Sequence, residues 1–169
     1  TADTGVKAAF LKCAIESPGL TEGVERTMRA VGQASAQTGA PITVHTNPRT
    51  GSGLVTQRVL KEEGADLGKV IIGHSGDSTD LDYLSQIAEN GSFLGMDRFG
   101  IDAYLPTEPR VDTIVELVRR GYADRITLAH DAACYIDYFT QEEKAQIQPN
   151  WHFRHISDDV IPMLLDKGV

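Results

Sequence analysis

One repeated unit limits what this sequence can fold into. A short apolar run, rich in β-branched or small residues, is followed by a polar turn and then by a stretch with helical periodicity. The strand-like runs are Val6 to Ala14, Ile42 to Thr46, Val70 to Ser75, Ser92 to Arg98 and Ile126 to Asp131. Between them, Val24, Met28, Val31 and Ser35 share one helical face behind Thr21, a residue type that caps helix N-termini. Val55, Val59 and Leu60 form a shorter stripe, and Leu81, Leu84, Ile87 and Ala88 follow the capping run Ser78-Thr79-Asp80. Val111, Ile114, Val115, Val118 and Tyr122 form the clearest stripe, and Val160, Ile161, Leu164 and Leu165 a last one that stops at Gly168. Thr38-Gly39-Ala40-Pro41, Glu63-Gly64, Asn90-Gly91 and Arg120-Gly121 each end a helix just before a strand. Alternating strands and helices at this spacing predict parallel βα units.

Such units build either an open doubly wound sheet or a closed barrel. The open sheet is disfavoured because no G-x-G-x-x-G follows the first strand. Gly51-Ser52-Gly53 lacks the third glycine and reads as a flexible loop. The 169 residues, 41% hydrophobic, suffice for one domain with its own core. A formal net charge of −8 argues against nucleic acid as a partner, since phosphate binding needs a basic surface. No apolar run approaches the roughly 20 residues that cross a bilayer. The polar start Thr1-Ala2-Asp3-Thr4-Gly5 does not read as a signal peptide; without a Met, it reads as cut from a longer chain. Cys13 and Cys134 have no framework spacing, so they are read as free thiols of a reducing, cytoplasmic compartment.

The residues able to do chemistry end successive strands. Lys12 closes Phe10-Leu11-Lys12, His45 closes Ile42-Thr43-Val44-His45, His74 follows Val70-Ile71-Ile72-Gly73, and Asp131 closes the run from Ile126. They stand 33, 29 and 57 residues apart, the last interval spanning two units. A βα unit takes about 30 residues or more, so all four are expected on one rim of a barrel, where such enzymes place their sites. Each alone has a plainer reading: a hydrogen-bonded structural histidine, an N-cap aspartate, a snorkelling lysine. Together they point to one site. A lysine buried in an apolar strand is costly unless paired or neutralised. Imidazole and carboxylate suit zinc and its neighbours, whereas a protonated amine repels a cation.

The segments Phe10-Leu11-Lys12-Cys13-Ala14, Ile42-Thr43-Val44-His45-Thr46, Ile72-Gly73-His74-Ser75-Gly76-Asp77, Gly95-Met96-Asp97-Arg98-Phe99-Gly100 and His130-Asp131 resemble phosphotriesterase-like lactonases of the amidohydrolase superfamily. The likeness runs nearly end to end. It implies a (β/α)8 TIM barrel of which residues 1–169 supply about strands four to eight, as the C-terminal part of a single hydrolase barrel. It implies two divalent metal ions, zinc being expected and cobalt, iron or manganese possible. Lys12, carboxylated, would bridge them. His45 and His74 would bind the more exposed metal. Asp131 would bind the buried metal and act catalytically as proton shuttle. Arg98 would line the substrate mouth, and Ala133, Ile136 and Tyr138 would wall an acyl-chain pocket formed by the loop from Ala132 to Tyr138.

The same likeness implies hydrolysis of lactones, N-acyl homoserine lactones above all, and hence quorum quenching. Organophosphate triesters would be promiscuous substrates, and the full-length protein a homodimer with no membrane or nucleic-acid partner. The rival readings are a primary organophosphate triesterase and a non-catalytic barrel fragment. The family's first-strand His-x-His pair has no counterpart: His152 and His155 are three residues apart near the last helix and read as structural, and His130 as a neighbour of the site. The chain alone is therefore expected to be inactive and unstable as a monomer, with residues such as Phe10, Ile42 and Val44 candidates for an uncovered inner face.

Overall fold

The computed structural model describes residues 4–169; Thr1, Ala2 and Asp3, part of the polar opening segment, lie outside the described residues. Five strands form one sheet in sequential order: β1 Leu11–Ala14, β2 Ile42–His45, β3 Val70–Gly73, β4 Phe93–Met96 and β5 Ile126–Leu128. All neighbouring pairs are parallel, as the alternating sequence pattern requires. The helices are α1 Glu22–Thr38, α2 Ser52–Glu62, α3 Leu81–Glu89, α4 Thr107–Arg119, α5 Gln141–Ile147 and α6 Ile161–Asp166. This is an arc of a (β/α)8 barrel, as expected.

Local chemistry sets the helix limits. The Thr21 hydroxyl accepts from the Val24 N–H at 3.5 Å, and Gly39, at φ 72°, closes α1 in a left-handed conformation that glycine adopts without strain. Asp80 accepts from the N–H groups of Asp82 and Tyr83 at the start of α3. α5 opens with a capping box in which Thr140 and Glu143 satisfy each other's backbone N–H groups. A π turn over Ile156–Val160 runs directly into α6.

Strand alternation sorts side chains onto two faces. Ile42, Val44, Val70, Ile72, Leu94 and Met96 are at most 1% exposed and pack against Met28, Leu60, Leu84, Ile87, Val111 and Leu117 of the helices. Burying each such side chain contributes about 1.5–3 kcal/mol. Lys12 is paired with Thr43, and Ala14 with His45, so these residues share the opposite face, the barrel interior.

Several expectations change. Ile42 and Val44 belong to the helix-covered face, not to the interior; only Phe10, 56% exposed, is uncovered. Lys12 is exposed, not buried, because no strand of the described residues faces it. The strands are shorter than their apolar runs: pairing starts at Leu11, not Val6, and ends at Leu128, not Asp131. Gly51-Ser52-Gly53 is not a loose loop. Gly51 caps a short turn at φ 66°, and Ser52 and Gly53 begin α2 with both residues buried. A Cβ on Gly53 would stand 2.5 Å from the Tyr83 Oη and 2.8 Å from Ile72, so glycine is needed for close packing there.

Candidate active site

The carboxyl ends of the strands carry the polar side chains. His45 ends β2, and His74 stands one residue beyond β3 in a left-handed backbone conformation, φ 62°. Asp131, at φ 52°, is the other non-glycine residue at positive φ among the described residues. Such backbones cost energy for residues with a Cβ and are held in place by their surroundings. For His74 the holding group is Asp97. Its Oδ1 accepts from the His74 backbone N–H at 2.8 Å and lies 2.9 Å from the ring Nδ1. Two glycines make room for it: a Cβ on Gly95 would fall 2.7 Å from the Asp97 Oδ2, and one on Gly73 would fall 3.2 Å from it.

His74 Nε2 lies 2.9 Å from His45 Nδ1, and the rings meet edge to face at 84°. The remaining nitrogen of His45, Nε2, is 3.1 Å from Glu16 Oε1, while the other Glu16 oxygen accepts from Asn47 Nδ2 at 3.2 Å. Each imidazole thus has a carboxylate behind it. A carboxylate favours a ring proton on the nitrogen it faces. Burial holds the His45 pKa below the usual histidine value despite the Glu16 hydrogen bond. Burial opposes ionisation of Glu16, but hydrogen bonds from His45, the Ser17 N–H and Asn47 outweigh it, and its pKa sits below the carboxylate norm.

At 2.9 Å one ring donates to the other; with that proton displaced, the two inner nitrogens would offer lone pairs that suit a divalent cation. Asp131 stands on the same rim, with Oδ2 3.5 Å from the Arg98 Nε. Lys12 reaches into the interior from β1. Among the described residues, no three His, Cys, Asp or Glu side chains converge into a ready metal cage. The structure brings His45 and His74 into contact.

A rim cavity of about 250 Å3 opens beside this pair, lined by Glu16, His45, Asn47, Arg49, Arg98 and Tyr104 among others. The Arg98 guanidinium lies 4.5 Å from the centre of the Tyr104 ring and donates to Asp77 Oδ2 at 2.9 Å. Burial pulls the Arg98 pKa down, yet the Asp77 hydrogen bond and charge raise it above the arginine norm. Ala133, Ile136 and Tyr138 do not line this cavity. Ile136 and Tyr138 border a separate surface groove, and Tyr138 is 82% exposed.

His130 accepts from the Ala132 N–H at 3.1 Å, and its carbonyl accepts from the Trp151 indole at 2.9 Å. His155 is buried between Thr107 and Asp159, at 2.8 and 2.9 Å. Sequence reasoning passed over Glu16, Asp77, Tyr104 and Arg110 and gave Asp97 no role of its own. The legible signal was an acidic residue just beyond a strand, as at Glu16 and Asp97.

Sequential parallel strands, helices on the outer face and polar groups gathered at the carboxyl rim define a (β/α) barrel of the kind whose rim loops carry chemistry. The chain belongs to the phosphotriesterase family, whose model matches residues 1–169. It is 52% identical over 168 residues to a phosphotriesterase homology protein of Mycobacterium tuberculosis, covering 99% of this chain and 52% of the relative. The solved structure of the phosphotriesterase from that organism superposes with a TM-score of 0.96, covering 99% of this chain and 52% of the other. An aryldialkylphosphatase of Saccharolobus solfataricus is 44% identical over 165 residues, covering 96% of this chain and 52% of the relative. A variant of a PTE-like lactonase from Deinococcus radiodurans is 29% identical with a TM-score of 0.88, covering 100% of this chain and 54% of that one. The chain spans about half the length of the curated relatives it matches. Among the described residues, no helix is long and apolar enough to cross a membrane.

Proposed function

We propose that the protein containing this chain is a metal-dependent hydrolase that opens lactones, N-acyl homoserine lactones being the expected class, with organophosphate triesters as secondary substrates. The observation that carries this reading is the His45–His74 pair, nitrogen to nitrogen at 2.9 Å, with Asp97 and Glu16 behind the two rings. The residues that would hold metal are His45, His74, Asp131 and a carboxylated Lys12. When bound, the metals supply Lewis-acid polarisation of the scissile carbonyl or phosphoryl group and a nucleophile at neutral pH.

The chain's own residues do the rest. Lys12 becomes a ligand by adding carbon dioxide to its neutral amine, which loses a proton and leaves an anionic carbamate. Asp131 accepts a proton from the attacking oxygen and returns it to the leaving alkoxide. Arg98, on the cavity wall, orients the substrate oxygen with a fixed positive charge, and the Tyr104 ring steadies the guanidinium. Ala133, Ile136 and Tyr138 would take up the acyl chain, as the family resemblance implies, from the separate surface groove that Ile136 and Tyr138 border. Dimerisation at full length and a cytoplasmic location belong to the same reading, and the free Cys13 and Cys134 agree with a reducing compartment.

The test is lactone turnover by the zinc-loaded protein beside its His45→Ala and His74→Ala variants. Turnover by the parent, lost together with zinc in both variants, is the expected result; parent-like turnover in either would end the proposal. The aryldialkylphosphatase relative favours a second reading, with a dialkyl aryl phosphate as the main substrate. The ratio of kcat/KM for the two substrates decides between them.

A further inference from the structure

Arg110 is fully buried and lies off the wall of the rim cavity. Arginine keeps its charge in such a place, although burial lowers its pKa against the pull of Asp77. It sits near the start of α4 and ties together two rim loops. Its Nε donates to the Leu105 carbonyl at 2.7 Å and its Nη1 to the Gly76 carbonyl at 2.6 Å. The same Nη1 lies 2.7 Å from Asp77 Oδ1.

Asp77, whose side chain is only 5% exposed, has a second oxygen, and that oxygen accepts from Arg98. Arg98 in turn lines the rim cavity and reaches towards Asp131. Charges therefore alternate from core to rim: Arg110, Asp77, Arg98, Asp131. Gly76 permits the close approach, since a Cβ there would stand 3.0 Å from the Met96 Cα and 3.3 Å from Arg110 Nη1.

The arrangement has two physical consequences. Asp77 Oδ1 lies against the core cation at salt-bridge distance, though it has no hydrogen-bond partner, and this charge contact favours the orientation in which Oδ2 meets Arg98. The single negative charge of Asp77 is also shared between two arginines. With Asp131 counted the row of four is neutral, and without Arg110 the remaining three would carry one net negative charge beside the cavity. We infer that Arg110 is a positioning residue which, through Asp77, fixes the Arg98 guanidinium at the cavity and preserves its positive field for an oxygen of the substrate. This inference rests on the proposed role of Arg98 at the substrate mouth.

The test uses the zinc-loaded whole protein, Arg110→Lys, the charge-neutral double variant Asp77→Asn with Arg110→Met, and each of these combined with Arg98→Ala. An N-acyl homoserine lactone is the substrate, and zinc content is measured throughout. Losing a charge-assisted contact corresponds to a rise in KM of about tenfold. That rise is expected with little change in kcat or zinc, and no further rise in the Arg98→Ala background. An equal rise in both backgrounds would mean that Arg110 acts on the fold alone and would overturn the inference. If the double variant does not fold, Arg110→Lys, which keeps the charge but not the fork, carries the test.

A second readout does not depend on turnover. The Arg98 Nε–H resonance, assigned by its loss in Arg98→Ala, is expected to exchange faster with solvent in both Arg110 variants. Unchanged exchange refutes the inference. A parent without lactone turnover, but with this faster exchange in the variants, sinks the lactonase reading and leaves the positioning role of Arg110 supported.

Discussion

His45 Nδ1 and His74 Nε2 face each other at 2.9 Å, and each ring is held on its far side by a carboxylate, Glu16 for one and Asp97 for the other. The outer carboxylates favour ring protons on the nitrogens that face them, and the inner pair is close enough to share a proton.

On the proposed metal-dependent reading, Asp97 and Glu16 are expected to contribute measurably to metal affinity. Carboxylates behind ligand histidines typically matter by about 10–100-fold in affinity. Asp97→Asn is expected to weaken zinc binding within that range, and Glu16→Gln by less, because the Glu16 side chain is 51% exposed. Competition with a chromophoric chelator measures both. Parent-like affinity in Asp97→Asn would show that the second carboxylate plays no part in holding metal.

Lys12 offers a separate check. Lys12→Ala is expected to lose metal and lactone turnover together. Short carboxylates such as formate or acetate are expected to restore part of both by taking the place of the carbamate. A variant that keeps the parent's metal content and rate would remove Lys12 from the centre.

Gly100 supports the loop beyond β4. Its φ is 91°, and an added Cβ would collide with the backbone of Asn150 and Trp151. Gly100→Ala combines backbone strain with overpacking, so a loss on the order of 2–4 kcal/mol is expected. Chemical denaturation reads it directly, and a loss below about 1 kcal/mol would mean that the 148–151 segment gives way freely.

The thiols should differ sharply. Burial pushes the Cys13 thiol up to about 11, slightly offset by Lys12, whereas Cys134 is exposed. Thiolate is the reactive form. At pH 8 a thiol reagent is expected to label Cys134 quickly and Cys13 only on unfolding. Two fast thiols in the native protein would contradict the burial of Cys13.

Acid stability can be traced to one cluster. Arg29 bridges Glu25, Glu62 and Glu63 at 2.7–2.8 Å, joining α1 to α2. The pKa of Glu62 is lowered by Arg29 and Arg58, and that of Glu63 by Gln33 and Arg29. Because the folded carboxyls titrate below their unfolded values, the unfolded chain binds more protons between the two, and stability rises with pH there. The contribution is complete above about pH 4.3 and is lost as pH falls through the depressed folded values. The Tm difference between the parent and Arg29→Met should therefore shrink from pH 7 to pH 3. A difference that stays constant over that range would assign the role of Arg29 to packing.

The sequence by itself determined the order and direction of the elements. Apolar period, caps such as Thr21 and Asp80, and glycines after helices are local signals, and local geometry obeyed them. It also put His45, His74 and Asp131 just at or beyond strand ends. The Thr140 to Glu143 capping box of α5, a helix of seven residues too short to show a stripe, came from the structure. Tertiary structure decided the rest. The faces of Ile42 and Val44 were set by strand register, because moving by one residue exchanges the two sides of a sheet. Gly51-Ser52-Gly53 became a helix start because Tyr83 and Ile87 of α3 lie against it. The partners of the site are far apart in the chain: Glu16 and His45 by 29 residues, His74 and Asp97 by 23, Gly76 and Arg110 by 34. No local period encodes such pairs. They exist because parallel pairing places successive strand ends side by side, and only the folded sheet fixes which oxygen meets which nitrogen.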